Sequence, residues 1–151
     1  MSIDVSVQVE DFSLSYEYQC LSDSSNVGAV VTFCGSVRDM NLGECIEGLT
    51  LEHYPGMTEK IINNICSEAK SRWNIEKVRV VHRVGEINVG DQIVFVGVAS
   101  RHRREAFNAC EFIMDYLKTQ APFWKKERTT DSTRWIDARS SDNDAVLRWS
   151  K

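Results

Sequence analysis

Residues 112–127 hold the side chains with the clearest chemical potential in this sequence. An apolar segment of helical period ends at Lys118, a proline follows, and two aromatic residues then lead directly into Lys125 and Lys126. A lysine that apolar neighbours partly shield from water can polarise, protonate or attack a substrate. The segment therefore indicates a candidate active site. The alternative is an amphipathic strand whose ammonium groups extend past the rings into water.

Strand periodicity sorts the residues after Pro122 onto two faces. In an extended chain, successive side chains point to opposite sides. One face would carry Phe123, Lys125 and Glu127, and the other would carry Trp124, Lys126 and Arg128. Whichever face is buried, it holds a lysine beside a large ring, which a purely solvated charge does not need.

A run of basic residues opens the second long helix that the sequence predicts. His102, Arg103 and Arg104 stand at its start, where the helix dipole disfavours each positive charge by about 0.3–1 kcal/mol. Free backbone N–H groups at a helix start bind anions, and arginines strengthen such a site for phosphate or carboxylate. The run therefore indicates an anion receptor. The alternative is a surface cluster neutralised by Glu105 and nearby acids.

Arg38 is a second candidate anion ligand. It follows an apolar strand in which Gly35 allows a bulge or a close backbone approach, so its side chain would emerge where the sheet meets a loop. The alternative is a strand-end surface arginine paired with Asp39. Cys34 lies nearby, but no histidine accompanies it in the sequence, and we interpret its thiol as a small buried side chain.

Composition narrows the class of protein. The 151 residues, of which 42% are hydrophobic and 26% charged, are typical of one globular domain over residues 1–151. The net charge of −4 argues against general nucleic-acid binding. The longest strongly apolar run, Ile93–Ala99, is far shorter than the roughly 20 residues that a membrane-spanning helix needs.

The cysteines and histidines show neither a disulfide pattern nor a metal pattern. No Cys-x-x-Cys pair occurs among the five cysteines, and their spacing with the three histidines does not match a zinc site. Scattered thiols in odd number suit a reducing cytoplasm, and the N-terminus has no signal-peptide pattern. We therefore expect a cytoplasmic protein without a metal site. His53 and His82 fall in predicted strands, where hydrogen-bonded structural roles are usual.

Hydrophobic periodicity predicts strands and helices in mixed order. Two long helices are expected, from Pro55-Gly56 to about Trp73 and from about Arg103 to Lys118. Shorter helices are predicted near 14–21 and 144–149, and strands near 5–9, 28–38, 49–52, 77–84, 92–100 and after Pro122. We expect 49–52 to pair with 28–38 across a turn at 41–43. This order predicts an α+β fold.

Taken in order, these segments resemble the large subunit of molybdopterin synthase. The matching motifs are Gly28-Ala29-Val30-Val31-Thr32-Phe33, Gly35-x-Val37-Arg38, Leu51-Glu52-His53-Tyr54-Pro55-Gly56-Met57, His82-Arg83-Val84-Gly85, Ser100-x-His102-Arg103, Asp115-Tyr116-Leu117-Lys118 and Ala121-Pro122-Phe123-Trp124-Lys125-Lys126-Glu127. The series runs from about Gly28 to Arg139. The resemblance implies an α/β-hammerhead-like architecture, with a mixed, mainly antiparallel sheet, two long covering helices and small C-terminal strands.

The resemblance implies a sulfurtransferase of molybdenum-cofactor biosynthesis. Its substrate would be cyclic pyranopterin monophosphate, which receives two sulfurs to become the dithiolene molybdopterin. The sulfur would arrive as a thiocarboxylate on the C-terminal Gly-Gly tail of a small, ubiquitin-like sulfur-carrier subunit. The implied assembly is a homodimer of large subunits at the core of a heterotetramer, without a resident metal or other cofactor.

The resemblance also assigns roles to individual residues. Lys118 and Lys125 would be catalytic, with Lys118 stabilising charge on the thiocarboxylate and Lys125 assisting proton transfer at the pterin. Substrate would be bound by Arg38, His102, Arg103, Lys126, Glu127 and Arg139, the last a candidate for reaching a neighbouring protomer. The partner tail would lie against Phe33, Met114 and Phe123.

Two other functions fit the same residues. A binding or regulatory module would hold a phosphate ligand without turnover, and a scaffold would dock a partner tail on Phe123 and Trp124. The lysines discriminate between these functions, because a pure scaffold does not need Lys118 and Lys125 together with basic anion ligands.

Overall fold

A computed structural model describes residues 2–41, 43–130, 132–136 and 140–150, with the backbone alone at 140 and 141. The helices are α1 (Leu14–Ser22), α2 (Met57–Arg72), α3 (Arg103–Thr119) and α4 (Ser140–Leu147). The strands are β1 (Ser2–Gln8), β2 (Ala29–Ser36), β3 (Met40–Asn41), β4 (Glu44–Cys45), β5 (Gly48–His53), β6 (Lys77–Arg83), β7 (Gly85–Asn88), β8 (Gln92–Ser100), β9 (Phe123–Arg128) and β10 (Thr133–Ile136). These elements confirm the predicted α+β class.

The first sheet has the strand order β1-β6-β8-β2. Its β1–β6 pair is parallel, whereas β8 is antiparallel to both β6 and β2. The helices α2 and α3 cover one face, and their apolar stripes meet the inward side chains of the sheet in the main core. As its continuous apolar run predicted, β8 is buried on both faces, because α1 packs against the side opposite α3.

The second sheet has the order β10-β9-β5-β7 and is antiparallel throughout. Five buried residues from this sheet and its neighbouring segments form a smaller core, namely Val37, Leu49, Leu51, Val84 and Ile87. The ring of Phe123 packs against both this cluster and the main core. The start of β9 therefore lies at the junction between the two sheets.

The pairing expected for residues 49–52 was wrong. The turn near residue 43 joins the two short strands β3 and β4 to each other, and β5 pairs instead with β7 and β9. Both partners bring an apolar face to the smaller core, which the local turn pattern does not reveal. The strand β7 was not predicted, since its four residues are too few to show a clear alternation.

The outer elements also differ in detail from the predictions. The helical period of the apolar residues in α2 predicts that Met57 lies on the stripe facing the core, but its side chain is 44% exposed in the first turn of the helix. The tail helix α4 begins earlier than expected, and Trp149 after it donates an indole hydrogen bond to Asp115 at 2.7 Å. Among the described residues, no helix has both the length and the apolar character that crossing a bilayer requires.

Candidate active site

The end of α3 and the strand β9 bring two lysines to the same edge of the first sheet. Because α3 begins where β8 ends and packs back over β8 and β2, its last turn returns to the edge where β8 begins. Lys118 lies in that last turn and is exposed. Lys125 is half-buried on β9, directly opposite the fully buried Leu51 of β5. The two residues thus approach one region from different elements.

The alternation predicted for β9 is confirmed by its register. Lys125 pairs with Leu51, while Lys126 pairs with Thr50 on one side and Trp135 on the other. The Lys126 ammonium lies 5.2 Å from the centre of the Trp135 ring, a cation–π contact on the outer face of the sheet. Lys126 therefore points away from Lys125. Within one chain, the two lysines do not contribute to the same site.

His82 lies beside the lysines at the junction of the two sheets. It follows Val78 and Val80 on the inward face of β6 and is only 7% exposed. Its ring stacks on Phe123 with 3.8 Å between the ring centres and 18° between the planes. Its Nδ1 lies 2.8 Å from the carbonyl oxygen of Arg83, which fixes the Nδ1–H tautomer.

The surroundings of His82 keep its imidazole neutral. Burial lowers the pKa of His82 to about 3, the hydrogen bond to the Arg83 carbonyl opposes this shift, and the charges of Lys125, Lys118 and His53 reinforce it. The strand register agrees with this, because His53 pairs with Phe123, whose ring stacks on His82, and Lys125 follows Phe123 on the same face of β9. We refer to His82, His53, Lys118 and Lys125 as one cluster.

His53 completes the cluster from β5. Its Nδ1 lies 4.0 Å from the Glu59 carboxylate of α2 and has no hydrogen-bond partner in the part of the chain that the structure describes. The sequence predicted only structural roles for His53 and His82. The signal that could have found His82 is strand alternation, because Val78, Val80 and His82 share the face that must be buried.

Glu127 lies on the same face of β9 as Lys125 but is occupied by protein groups. It is 2% exposed, and the Asn41 amide nitrogen donates to both carboxylate oxygens at 3.0 and 2.9 Å. The guanidinium of Arg134 lies 3.6 Å away. The substrate contact expected for Glu127 is therefore not available in this arrangement, and the carboxylate instead ties β3 and β10 to β9.

Arg38 lies at the same edge of the first sheet as the lysines. It follows β2, whose Ser36 is opposite Gln92 at the start of β8, and Val37 is buried in the smaller core. The side chain of Arg38 is exposed, and among the described residues no carboxylate, including that of Asp39, lies within ion-pairing distance. The surface ion pair considered as an alternative does not form.

His102 and Arg103 lie at the opposite end of α3 from Lys118. Fifteen helical steps at 1.5 Å separate Arg103 from Lys118, a distance of about 22 Å along the axis. Both side chains are exposed, and that of His102 does not cap the helix although it occupies the N-cap position. The expected clamp of Arg38, His102 and Arg103 is therefore not formed within one chain, because the helix length holds its two parts apart.

The three residues expected to contact a partner tail lie around the lysine edge. Met114 is one turn before Lys118 on α3, and both Met114 and Phe123 are half-buried against the main core. Phe33 lies on the edge strand β2, opposite Val96 on the helix side of the sheet, and is 41% exposed. Arg139 lies outside the described residues.

Cys34 lies on β2 near this edge, but its surroundings do not favour a nucleophile. Cys34 faces the opposite side of β2 from Phe33, and its sulfur is 3.5 Å from the side-chain oxygen of Gln92. Burial, with a smaller effect of the Asp11 charge, raises the pKa of the Cys34 thiol, which disfavours the nucleophilic thiolate. Within the described ranges, no three His, Cys, Asp or Glu side chains are grouped to hold a metal ion.

The neutral state of His82 should make the fold sensitive to acid. The unfolded chain protonates this histidine near pH 6.5, whereas the folded protein does so only near pH 3. Between pH 6.5 and pH 3 the unfolded molecules therefore bind more protons than the folded ones. The contribution of His82 to the free energy of unfolding is fully present above pH 6.5 and is lost as the pH is lowered. At pH 4.5 we expect His82 to account for a loss on the order of 2–3 kcal/mol.

Urea unfolding of the wild type and of His82→Leu at pH 7 and pH 4.5 measures this loss. The variant has no imidazole to protonate, so its free energy of unfolding should change less between the two pH values. Equal changes in both proteins would show that His82 does not control the acid response.

The comparisons with known proteins agree on one family. The MoaE protein family matches residues 7–120. The molybdopterin synthase catalytic subunit of Vibrio cholerae serotype O1 is 63% identical over 145 residues, covering 96% of this chain and 97% of that protein.

Two solved structures share the fold over nearly all of the chain. A molybdopterin biosynthesis MoaE protein from Burkholderia ambifaria has a TM-score of 0.85 and 47% identity, covering 99% of each chain. The molybdopterin synthase from Staphylococcus aureus has a TM-score of 0.81 and 32% identity, covering 87% of this chain and 96% of the other. This chain therefore belongs to the MoaE family, with the molybdopterin synthase catalytic subunits.

Proposed function

We propose that this chain is the catalytic subunit of a molybdopterin synthase and transfers sulfur to cyclic pyranopterin monophosphate. The observation that carries the proposal is the approach of Lys118 and Lys125, from α3 and β9, to one partly apolar region beside Phe123 and His82. Neither a phosphate-binding module nor a passive scaffold requires two ammonium groups beside the stacked rings of Phe123 and His82. A reaction that develops negative charge requires them.

The sulfur source in this proposal is the thiocarboxylate of a small partner subunit. Its sulfur forms a bond to a carbon of the pterin side chain while a carbon–oxygen bond at that carbon breaks, which leaves the partner tail as a thioester. The displaced oxygen departs either with the opened phosphate, which stays attached as a monoester, or as water. Water then hydrolyses the thioester, so that the sulfur stays on the substrate and the tail ends as a carboxylate. Lys118 stabilises the oxyanion of the tetrahedral intermediate in that hydrolysis, and Lys125 transfers a proton at the pterin side chain. A second tail supplies the second sulfur in the same way.

The partner tail occupies the apolar side of the lysine edge. Phe33 is exposed there, while Met114 and Phe123 are half-buried next to the two lysines. A Gly-Gly tail has no side chains, so it fits a narrow passage between such residues. The name of the Vibrio cholerae relative, a catalytic subunit, supports the presence of a second kind of subunit.

The phosphate of the substrate is bound from two directions. Arg38 lies at the lysine edge of its own chain, whereas His102 and Arg103 lie about 22 Å away along α3. We therefore propose a homodimer in which α3 of one protomer directs its basic start toward the lysine edge of the other. Arg103 lies beside Arg104 and the 59% exposed Phe107, which gives this helix start an apolar surface suited to contact with another chain.

The test uses purified protein, the thiocarboxylated small subunit and cyclic pyranopterin monophosphate. We expect dithiolene product only when all three components are present. The five cysteines of the chain are free, which suits the reducing cytoplasm that we propose as the site of this reaction. Binding of the phosphate ligand or of the tail without any product would instead favour the non-catalytic module or the scaffold.

A further inference from the structure

The hydrolysis step of the proposed reaction needs a proton acceptor. The water that attacks the thioester must lose a proton, and the ammonium groups of Lys118 and Lys125 have no lone pair to receive it. His82 is a poor acceptor, because burial lowers its pKa to about 3. Glu127 is 2% exposed and already hydrogen-bonded within the fold. Within the described residues, His53 is the remaining base of the cluster.

His53 lies on the same face of the second sheet as Lys125. It is opposite Phe123 across the β5–β9 pair, and Lys125 is opposite Leu51. Because side chains alternate along a strand, all four share one face, and His53 and Lys125 are diagonal neighbours at about 7–8 Å. The effect of the His53 charge on the buried His82 agrees with this placement. His53 is therefore beside the region where the partner tail is proposed to end.

Glu59 of α2 faces Nδ1 of the His53 ring. This nitrogen is buried and has no hydrogen-bond partner in the part of the chain that the structure describes, and Glu59 Oε1 is 4.0 Å away. The other oxygen of the same carboxylate accepts from the N–H of Gly56 at 2.6 Å, at the N-cap of α2. The cap therefore fixes the carboxylate with one oxygen toward Nδ1. The His53 side chain is 20% exposed, so ring atoms other than Nδ1 are accessible.

We propose that His53 is the general base for hydrolysis of the thioester between the tail and the pterin, and that Glu59 is its positioning residue. The inference rests on the proposed function and assigns its hydrolysis step. Nδ1–H donates to Glu59 once the tail is bound, since catalytic hydrogen bonds are often long in a free enzyme. This tautomer leaves a lone pair on Nε2 for the proton of the water.

The proposed step transfers one proton to His53 and returns it. The water oxygen bonds to the thioester carbonyl carbon while one of its protons passes to Nε2. The carbon–sulfur bond of the tetrahedral intermediate then breaks, the sulfur stays on the pterin, and the imidazolium gives the proton to it. The tail is left as a carboxylic acid, which loses its proton to solvent. The negative charge of Glu59 stabilises the transient imidazolium.

Two substitutions test the base and its positioning residue separately. His53→Gln removes the base. Glu59→Gln keeps an oxygen that can cap α2 but directs an NH₂ group, which is not an acceptor, toward Nδ1. We expect His53→Gln to lower kcat about 10²-fold or more and Glu59→Gln about tenfold. Glu68→Gln, at an exposed ion pair with Arg72 further along the same helix, should keep the wild-type kcat.

The step that is slowed can be identified by two further readouts. Intact-mass spectrometry of quenched reactions should show the small subunit accumulating with the pterin attached as a thioester in both His53→Gln and Glu59→Gln. KM for the pterin should fall with kcat, because slowing a step after the sulfur has bonded to the pterin leaves the earlier steps unchanged.

The pH dependence of hydrolysis reports the base directly. The charged and titratable groups facing His53 are Glu59 of α2, His82 of β6, Lys125 of β9 and Lys118 of α3. In a single turnover, the hydrolysis rate of the wild type should fall as the pH is lowered from about 8.5 to about 5.5, as an imidazole base requires. His53→Gln should lose this fall. Glu59→Gln should show it at lower pH, because the imidazolium there lacks the opposite charge.

Two results would overturn the proposal while dithiolene formation by the wild type still supports the function. One is a wild-type kcat in folded His53→Gln. The other is a lower kcat without thioester in either variant, which would place the defect before hydrolysis. If thermal unfolding shows that His53→Gln does not fold, Glu59→Gln decides by the same readouts. Absence of product from the wild type would overturn the proposed function and this inference together.

Discussion

Replacing Lys125 with alanine is expected to lower kcat for sulfur transfer by about 10²–10⁴-fold, the range for loss of a positioned proton donor. Lys125 faces the interior of the second sheet opposite Leu51, beside the imidazole of His82. Water entering the space left by alanine would be a poor replacement, because it has neither the charge nor the fixed position of the ammonium. A rapid-quench assay of product per active site measures the change.

Lys126 provides a matched control for this substitution. It is the same residue type on the same strand, but its ammonium lies over Trp135 on the opposite face. We expect Lys126→Ala to keep kcat within about threefold of the wild type, since loss of an exposed cation–π contact costs only about 0.5–1 kcal/mol of stability. Similar losses in the two variants would show that the face of β9 does not determine function.

The long elements could be predicted from the sequence because their signals are local. The continuous apolar run of Gln92–Ser100 and the helical stripe from Arg103 onward recur at fixed periods, and both elements formed nearly as predicted. The alternation after Pro122 likewise predicts that Lys125 and Lys126 lie on opposite faces of the strand, and the register of β9 confirms it.

Pairing between strands could not be predicted in the same way. The segment around Leu49 and Leu51 shows that it is a strand with one apolar side, but alternation does not say which strand lies beside it. The strand β5 pairs with β7 and β9, and not with β2, because their apolar faces meet in the smaller core. The paired residues of β5 and β9 are about 75 positions apart in the sequence. Pairing over such a distance is determined by the packing of the complete fold and not by local sequence.

The candidate site was only partly accessible to sequence reasoning. The resemblance named Lys118 and Lys125, and the structure brings them to one edge. The resemblance treated Arg38 and Arg103 as one clamp, although the length of α3, a helix of 17 residues, separates Arg103 from that edge. For His82, strand alternation indicates that the side chain is buried, but it does not indicate the neighbours, which come from three other elements.

The separation of Arg103 from Lys118 leads to a prediction about mixed dimers. Arg103→Ala should lower kcat/KM by about 10–100-fold, since a charge-assisted hydrogen bond to phosphate contributes about 1.5–3 kcal/mol. Lys118→Ala should abolish turnover. A dimer with one copy of each variant, isolated by two affinity tags, should nevertheless recover about half of the wild-type activity, because a twofold axis creates one site with both residues intact.

A complementary dimer distinguishes this arrangement from a site within one chain. It pairs a wild-type protomer with one that carries Lys118→Ala and Arg103→Ala together. If Arg103 acts on the neighbouring protomer, each of its two sites lacks one residue, and activity should stay below about a tenth of the wild type. If both residues act within one chain, this dimer keeps one complete site and the first dimer keeps none. The two dimers must therefore give opposite results, and activity of the second alone would contradict the arrangement inferred from the length of α3.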